Sequence, residues 1–220
     1  MEYSYVKVLG VYRRTNFIQL YLDRPLGYPI VPVSLYDIHH NNNSIIAPIS
    51  NGNNIKCLRF IIPKNKNTYW INKLTERDLV KVSKAPVISN TFTPKTNDIL
   101  LAFGNGIANF TSYFTNDNEC ILPIMLYYEN KCINDMFELP LINTVMNNKF
   151  KLFITGKVSN DQMSVVKNND NLNKILKFNS SINYLTVPPD SKLYVSGATK
   201  HTLNVLTKKN IPYTILPVNA

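Results

Sequence analysis

The sequence predicts a mainly β protein of the α+β class: an antiparallel β-rich body closed by a small C-terminal strand–helix–strand unit. Two observations carry that expectation. Apolar and polar residues alternate at period 2 through most of the first 155 positions, as half-buried strands require. The final third then changes to helical spacing, and residues 192–216 read as strand, helix, strand. The corresponding division is 1–148 for the β-rich body and 149–220 for a basic α/β element packed on it as one compact unit.

At 220 residues the chain is long enough to bury a real core. Its 45% hydrophobic and 17% charged residues exclude a disordered, collagen-like or disulfide-scaffold protein.

In chain order, Val6, Val8 and Tyr12 share one face of a first strand, with Lys7 and Arg13 on the other. Arg14-Thr15-Asn16 is a turn, and Ile18, Leu20 and Leu22 alternate with Gln19, Tyr21 and Asp23, so residues 3–23 form a hairpin. Pro29 and Pro32 demote Tyr28–Leu35 to an edge strand or extended arm, because proline cannot donate to a ladder. His39 to Ser44 and Asn51 to Asn54 read as polar loops. Lys56–Ile62 is a strand ended by Pro63, and Tyr69–Val82 is a short turn followed by a strand. Ile99–Phe103, Ile121–Tyr128 and Lys149–Thr155 are further strands, the last with Phe150, Leu152 and Ile154 on one face. Asp161–Phe178 carries Met163, Val166, Leu172, Ile175 and Leu176 at helical spacing. After Pro188-Pro189 come a strand at Lys192–Ser196, a helix at Thr199–Lys209 burying Leu203 and Leu206, and a strand at Tyr213–Leu216.

No signal-peptide pattern opens the chain, and its longest nearly apolar run, Cys120–Tyr128, is far short of the ~20 residues a membrane helix needs. A membrane partner is not expected, and the expected place is a virion or a host cytoplasm. Cys57, Cys120 and Cys132 form no CxxC pair and are odd in number, so free thiols buried as small hydrophobes are expected. The chain holds 31 Asn, 22 Ile and 19 Lys against 6 Ala and 5 Arg, a bias that points to an AT-rich genome.

Charge is segregated along the sequence. Residues 1–97 are net +8, 98–148 net −5 and 149–220 net +7, within an overall +10. Such a balance favours a polyanionic partner. The acidic middle, with Glu119, Glu129 and Glu138, offers a complement to the basic ends of a neighbouring copy.

Few constellations suit chemistry. His39 and His40, with Asp37 before them, are the best cluster for metal or acid–base work. A third ligand at a recognisable spacing is missing, so no metal site is expected. Gly104-Asn105-Gly106 follows an apolar strand. Ser196-Gly197-Ala198-Thr199-Lys200-His201 lies between strand and helix, where backbone N–H groups, Thr199 and Lys200 could cradle an anion, or Thr199 could be a plain helix cap. Neither matches GxxxxGK[ST] or GxGxxG, and no cofactor is assigned. Lys200, Thr199, Lys208 and Lys209 are the candidate contacts for an anion or nucleic acid.

These readings lead to a non-enzymatic structural subunit of a multimeric assembly, a virus or phage particle with a connector or ring position near DNA. Its partners would be further copies or other structural subunits, with nucleic acid as a further partner. The alternatives are a stand-alone nucleic-acid-binding protein with lysine-rich surfaces, and an enzyme built around the His39-His40 loop.

Overall fold

The computed structural model describes residues 1–53, 55–116, 121–147, 149–159 and 174–218. The chain is α+β and mainly β, as its alternation predicts. It divides into two compact units. One comprises Met1–Phe92, Ala108–Cys120 and Leu216–Ala220; the other comprises Thr93–Ile107 and Ile121–Ile215.

The first unit is an antiparallel sheet of seven strands: β1 (Tyr3–Arg13), β2 (Phe17–Asp23), β3 (Ser34–His40), β4 (Asn43–Pro48), β5 (Cys57–Pro63), β6 (Leu79–Ser83) and β7 (Ile88–Ser89). The order is β4-β3-β6-β1-β2-β5, with β7 beside β3. An antiparallel bridge from Ile49 to Phe60 brings the chain after β4 onto β5, so the sheet closes into a near-barrel. Val6, Val8, Ile18, Leu20 and Leu22 fill its interior, each fully buried aliphatic contributing about 1.5–3 kcal/mol.

The hairpin predicted over residues 3–23 is present. Tyr12, expected on the inner face with Val6 and Val8, is instead exposed. Between Val8 and Gly10 the register shifts by one residue, a β-bulge that turns the rest of β1 over. The loop expected at His39–Ser44 is a hairpin: β3 and β4 pair from Leu35–Pro48 to His40–Asn43, and Asn41 turns the chain at φ 53°. Between β2 and β3 runs a connecting arm with turns at Leu26–Gly27 and Pro32–Val33; the arm expected over Tyr28–Leu35 therefore ends in a turn, and its last two residues open β3. Arg24 holds that arm with all five of its N–H groups, bonding the carbonyls of Tyr28, Asn53 and Ile55 and the Asn53 side chain.

The second unit is a six-stranded sheet: β8 (Ile99–Phe103), β9 (Met125–Asn130), β10 (Phe150–Ile154), β11 (Leu176–Lys177), β12 (Leu193–Ser196) and β13 (Tyr213–Leu216). Its order is β11-β10-β9-β8-β12-β13, and the four pairings from β11 through β12 are parallel. Among the described residues there are three α-helices, α1 (Ile107–Phe114), which lies in the first unit from Ala108 on, α2 (Leu139–Met146) and α3 (Lys200–Lys208). The strand–helix–strand predicted for the C-terminus is β12-α3-β13, with Leu206 fully buried and Leu203 half-buried.

The boundary expected at 148 falls between β9 and β10, which pair from Leu126–Phe150 to Asn130–Ile154. In β10 Phe153 is as buried as Phe150, Leu152 and Ile154, because a parallel strand inside a sheet is covered on both faces. Most of the helix predicted over 161–178 lies outside the described residues; its last residues, Leu176–Lys177, are β11. No helix among the described residues is long and apolar enough to cross a membrane.

Candidate functional site

The parallel sheet has a reversal built into its strand order. The chain enters at β8 in the middle, steps outward through β9, β10 and β11, then returns to the other side of β8 as β12. Connections therefore leave β8 and β12 in opposite directions, and open parallel sheets bind ligands beyond the carboxyl ends of their strands at such points.

Glycine is concentrated at that edge. Of the seven glycines in the chain, Gly104, Gly106, Gly156 and Gly197 follow the carboxyl ends of β8, β10 and β12. A Cβ on Gly106 would overlap the carbonyl of Ser196, and one on Gly197 would overlap the carbonyl of Phe103. Gly197 also has φ +77°, a left-handed conformation that side chains resist. The loops after β8 and β12 thus lie backbone against backbone. The sequence had singled out both loops separately; their juxtaposition needed the sheet.

Each loop runs into a helix. The turn Gly104–Gly106 leads directly into α1. On that turn Asn105 is 7% exposed, and its buried Nδ2 has no hydrogen-bond partner among the described residues. An amide left unpaired in the interior costs about 1–3 kcal/mol, so an acceptor supplied by a ligand fits it. After Gly197, Thr199 caps α3 by accepting the Thr202 N–H at 3.2 Å.

The cap that sequence offered as the plain alternative for Thr199 is therefore made, and Lys200 stands exposed on the first residue of α3. Lys208 and Lys209 sit at the other end of that helix, about 12 Å along its axis at 1.5 Å per residue. The four candidate contacts do not form one cluster. Lys209 Nζ donates to the Ile182 carbonyl at 3.2 Å.

The acidic candidates have other settings. Glu129, next to last in β9, accepts three hydrogen bonds: from Ser181 N–H at 2.7 Å, Ser181 Oγ at 2.6 Å and Ser180 Oγ at 3.2 Å. It fastens the turn before β12. Glu138 is half-buried at the start of α2 with φ 57°, and Glu119 lies outside the described residues.

In the barrel unit, His39 and His40 are adjacent strand residues with separate partners. His39 Nε2 lies 2.6 Å from Asp37 Oδ2, which also accepts the Tyr3 hydroxyl at 2.9 Å. His40 stacks on Trp70, with ring centroids 6.1 Å apart. No group of three or more His, Cys, Asp or Glu that could hold a metal ion occurs among the described residues. His201 is exposed on α3. Cys57 and Cys132 are half-buried rather than fully buried, and Cys120 lies outside the described residues.

No protein-family model and no curated protein sequence matches the chain. Solved structures do resemble it. Ferredoxin NADP+ reductase from Neisseria gonorrhoeae, crystallised with FAD and NADP, superposes with TM-score 0.65 at 12% identity over 99% of each chain. The flavohem-like FAD/NAD binding domain of nitric oxide dioxygenase from Vibrio cholerae gives 0.66 at 12% identity, covering 97% of this chain and 98% of that one. Full-length CYP116B46 from Tepidiphilus thermophilus gives 0.69 at 16% identity over 98% of this chain, which spans only 28% of that longer protein. At such identities the likeness establishes the fold.

That fold overturns the expectation of a non-enzymatic virus or phage subunit, with its connector role, and of a stand-alone nucleic-acid binder. Those readings rested on charge blocks and on missing motifs. The chain instead has the fold of FAD- and NAD-binding reductase domains.

Proposed function

We propose that the chain is a pyridine-nucleotide-dependent oxidoreductase domain that binds a nicotinamide dinucleotide at the carboxyl edge of its parallel sheet. The observation that carries this reading is the pair of glycine loops at the strand reversal, packed too closely for any side chain. The residues fit such a group. The glycine backbone at Gly104 and Gly197, each partly exposed, suits a pyrophosphate, since a residue without a side chain lets a ligand approach the backbone closely. Asn105 supplies a buried donor without an acceptor, and Lys200 a cation at the start of α3. When bound, the nicotinamide supplies a hydride to an electron acceptor. The chain's part is to hold the dinucleotide by its phosphates and keep it oriented over the sheet.

The FAD bound in a similar reductase finds no phosphate partner in the arm of the barrel. Arg24, the arginine of the barrel's arm, spends every donor on neighbouring carbonyl oxygens and has none left for a phosphate.

Calorimetric titration of the full chain with NADH and NADPH tests the reading. Binding in the micromolar range is expected. Gly197→Val should abolish it by forcing the two loops apart. Lys200→Ala, an exposed change that leaves the fold intact, should weaken it several-fold. A folded wild-type protein that binds neither nucleotide would refute the proposal.

A further inference from the structure

We infer that the preferred nucleotide carries a phosphate on its adenosine ribose, so NADPH is selected over NADH, with Lys131 and Lys157 as the recognising groups. The inference rests on the nucleotide site proposed above and names its substrate class.

In doubly wound sheets the ribose next to the adenine lies at the carboxyl end of the second strand. Proteins that take the unphosphorylated nucleotide keep a free carboxylate there, roughly 20 residues beyond the glycine turn, to clasp the ribose hydroxyls. Glu129 on β9 stands at that place, but its Oε2 accepts three hydrogen bonds from Ser180 and Ser181, which anchor the carboxylate to the turn before β12 rather than leave it free for a ribose diol.

Lysines stand at the same edge. Lys131 directly follows β9, and Lys157 follows β10 by two residues past Thr155; both are exposed. The two segments are zipped together beyond the strands, Thr155 N–H donating to the Asn130 carbonyl at 3.0 Å and Gly156 N–H to the Lys131 carbonyl at 3.1 Å. A side chain at Gly156 would overlap that same carbonyl, so glycine is what lets the lysine-bearing segments approach. Two ammonium groups at one edge suit a dianionic phosphate, which forms short charge-assisted hydrogen bonds.

The test is calorimetric titration of the full chain with NADPH, NADH, 2′-phospho-AMP and AMP, in the wild type and in the Lys131→Glu/Lys157→Glu double variant. The wild type should bind NADPH at least tenfold more tightly than NADH, and 2′-phospho-AMP more tightly than AMP. The double reversal should erase both preferences while leaving NADH affinity within about twofold, and an unchanged melting temperature would show the fold intact. Equal affinity of the wild type for both dinucleotides, or a preference that survives the reversal, overturns this inference alone. Binding of neither dinucleotide overturns it together with the reading it rests on.

Discussion

Tyr128 shows how a single phenol can hold a turn. Its hydroxyl donates to the Asp135 carbonyl at 3.3 Å and accepts from Asn130 Nδ2 at 3.0 Å and the Phe137 N–H at 3.2 Å. Burial pushes its pKa well above the ordinary value of 10.0, since a phenolate there would lose its water. A pKa raised on folding adds stability that is complete below about pH 10, the unfolded value, and is lost as pH climbs toward the folded value. The wild type should therefore lose stability steeply above pH 10. In Tyr128→Phe that loss should be shallower by up to about 1.4 kcal/mol per pH unit. The same variant should be about 1–3 kcal/mol less stable at neutral pH, because the Phe137 N–H loses its acceptor. Urea unfolding between pH 7 and 11 measures both, and equal slopes would mean the phenol ionises freely in the folded chain. Sequence could not have found this network. Tyr127 and Tyr128 looked alike there, and only the loop from Lys131 to Phe137, returning over β9, gives the second its partners.

Among the elements, those legible in the sequence are the ones whose burial is one-sided. The β1–β2 hairpin alternates because one face meets the core, and α3 is amphipathic with Thr199 as its cap. Helix α1 was missed because Ile107–Phe114 is rich in β-branched and aromatic residues, which have low helix propensity. Strand β8 was found as an apolar run, but burial on both faces hides which partners it takes, so its parallel sheet stayed unseen. Turn chemistry was likewise only half visible. Pro188-Pro189 announced a turn before β12; the structure adds that Asp190 carries φ 63° and that Ser191 N–H bonds the Pro188 carbonyl at 3.3 Å. A left-handed residue with a side chain pays a steric cost that glycine avoids. Asp190→Gly should accordingly stabilise the chain by a few tenths to about 1 kcal/mol, and Asp190→Val should destabilise it by at least as much. Thermal melts of the pair decide it; a melting temperature unchanged by both would mean the turn does not constrain β12.

At the scale of the molecule, folding redistributes the charge that looked segregated along the chain. The acidic block 98–148 and the basic block 149–220 meet as neighbours in one sheet, β9 against β10. Counted by unit instead, each of the two compact units holds 12 basic and 7 acidic residues, net +5. The uneven blocks had suggested head-to-tail assembly; the even balance gives each unit a positive field instead. That field should draw a polyanionic nucleotide toward the parallel-sheet unit before any contact forms, a rate effect that salt screens. Raising ionic strength from 0.01 M to 0.15 M shortens the Debye length from about 30 Å to about 8 Å. The association rate for NADPH, followed by stopped-flow detection of the nucleotide's own fluorescence, should fall several-fold over that range. Its dissociation rate should change little. Lys208→Glu makes the argument specific, because that exposed lysine lies at the end of α3 remote from Lys200 and so acts only through the field. It should slow association by about twofold at low salt and not at all at 0.15 M, with dissociation unchanged. An association rate indifferent to salt would mean that contacts at the glycine edge alone govern capture and that the net charge serves something else.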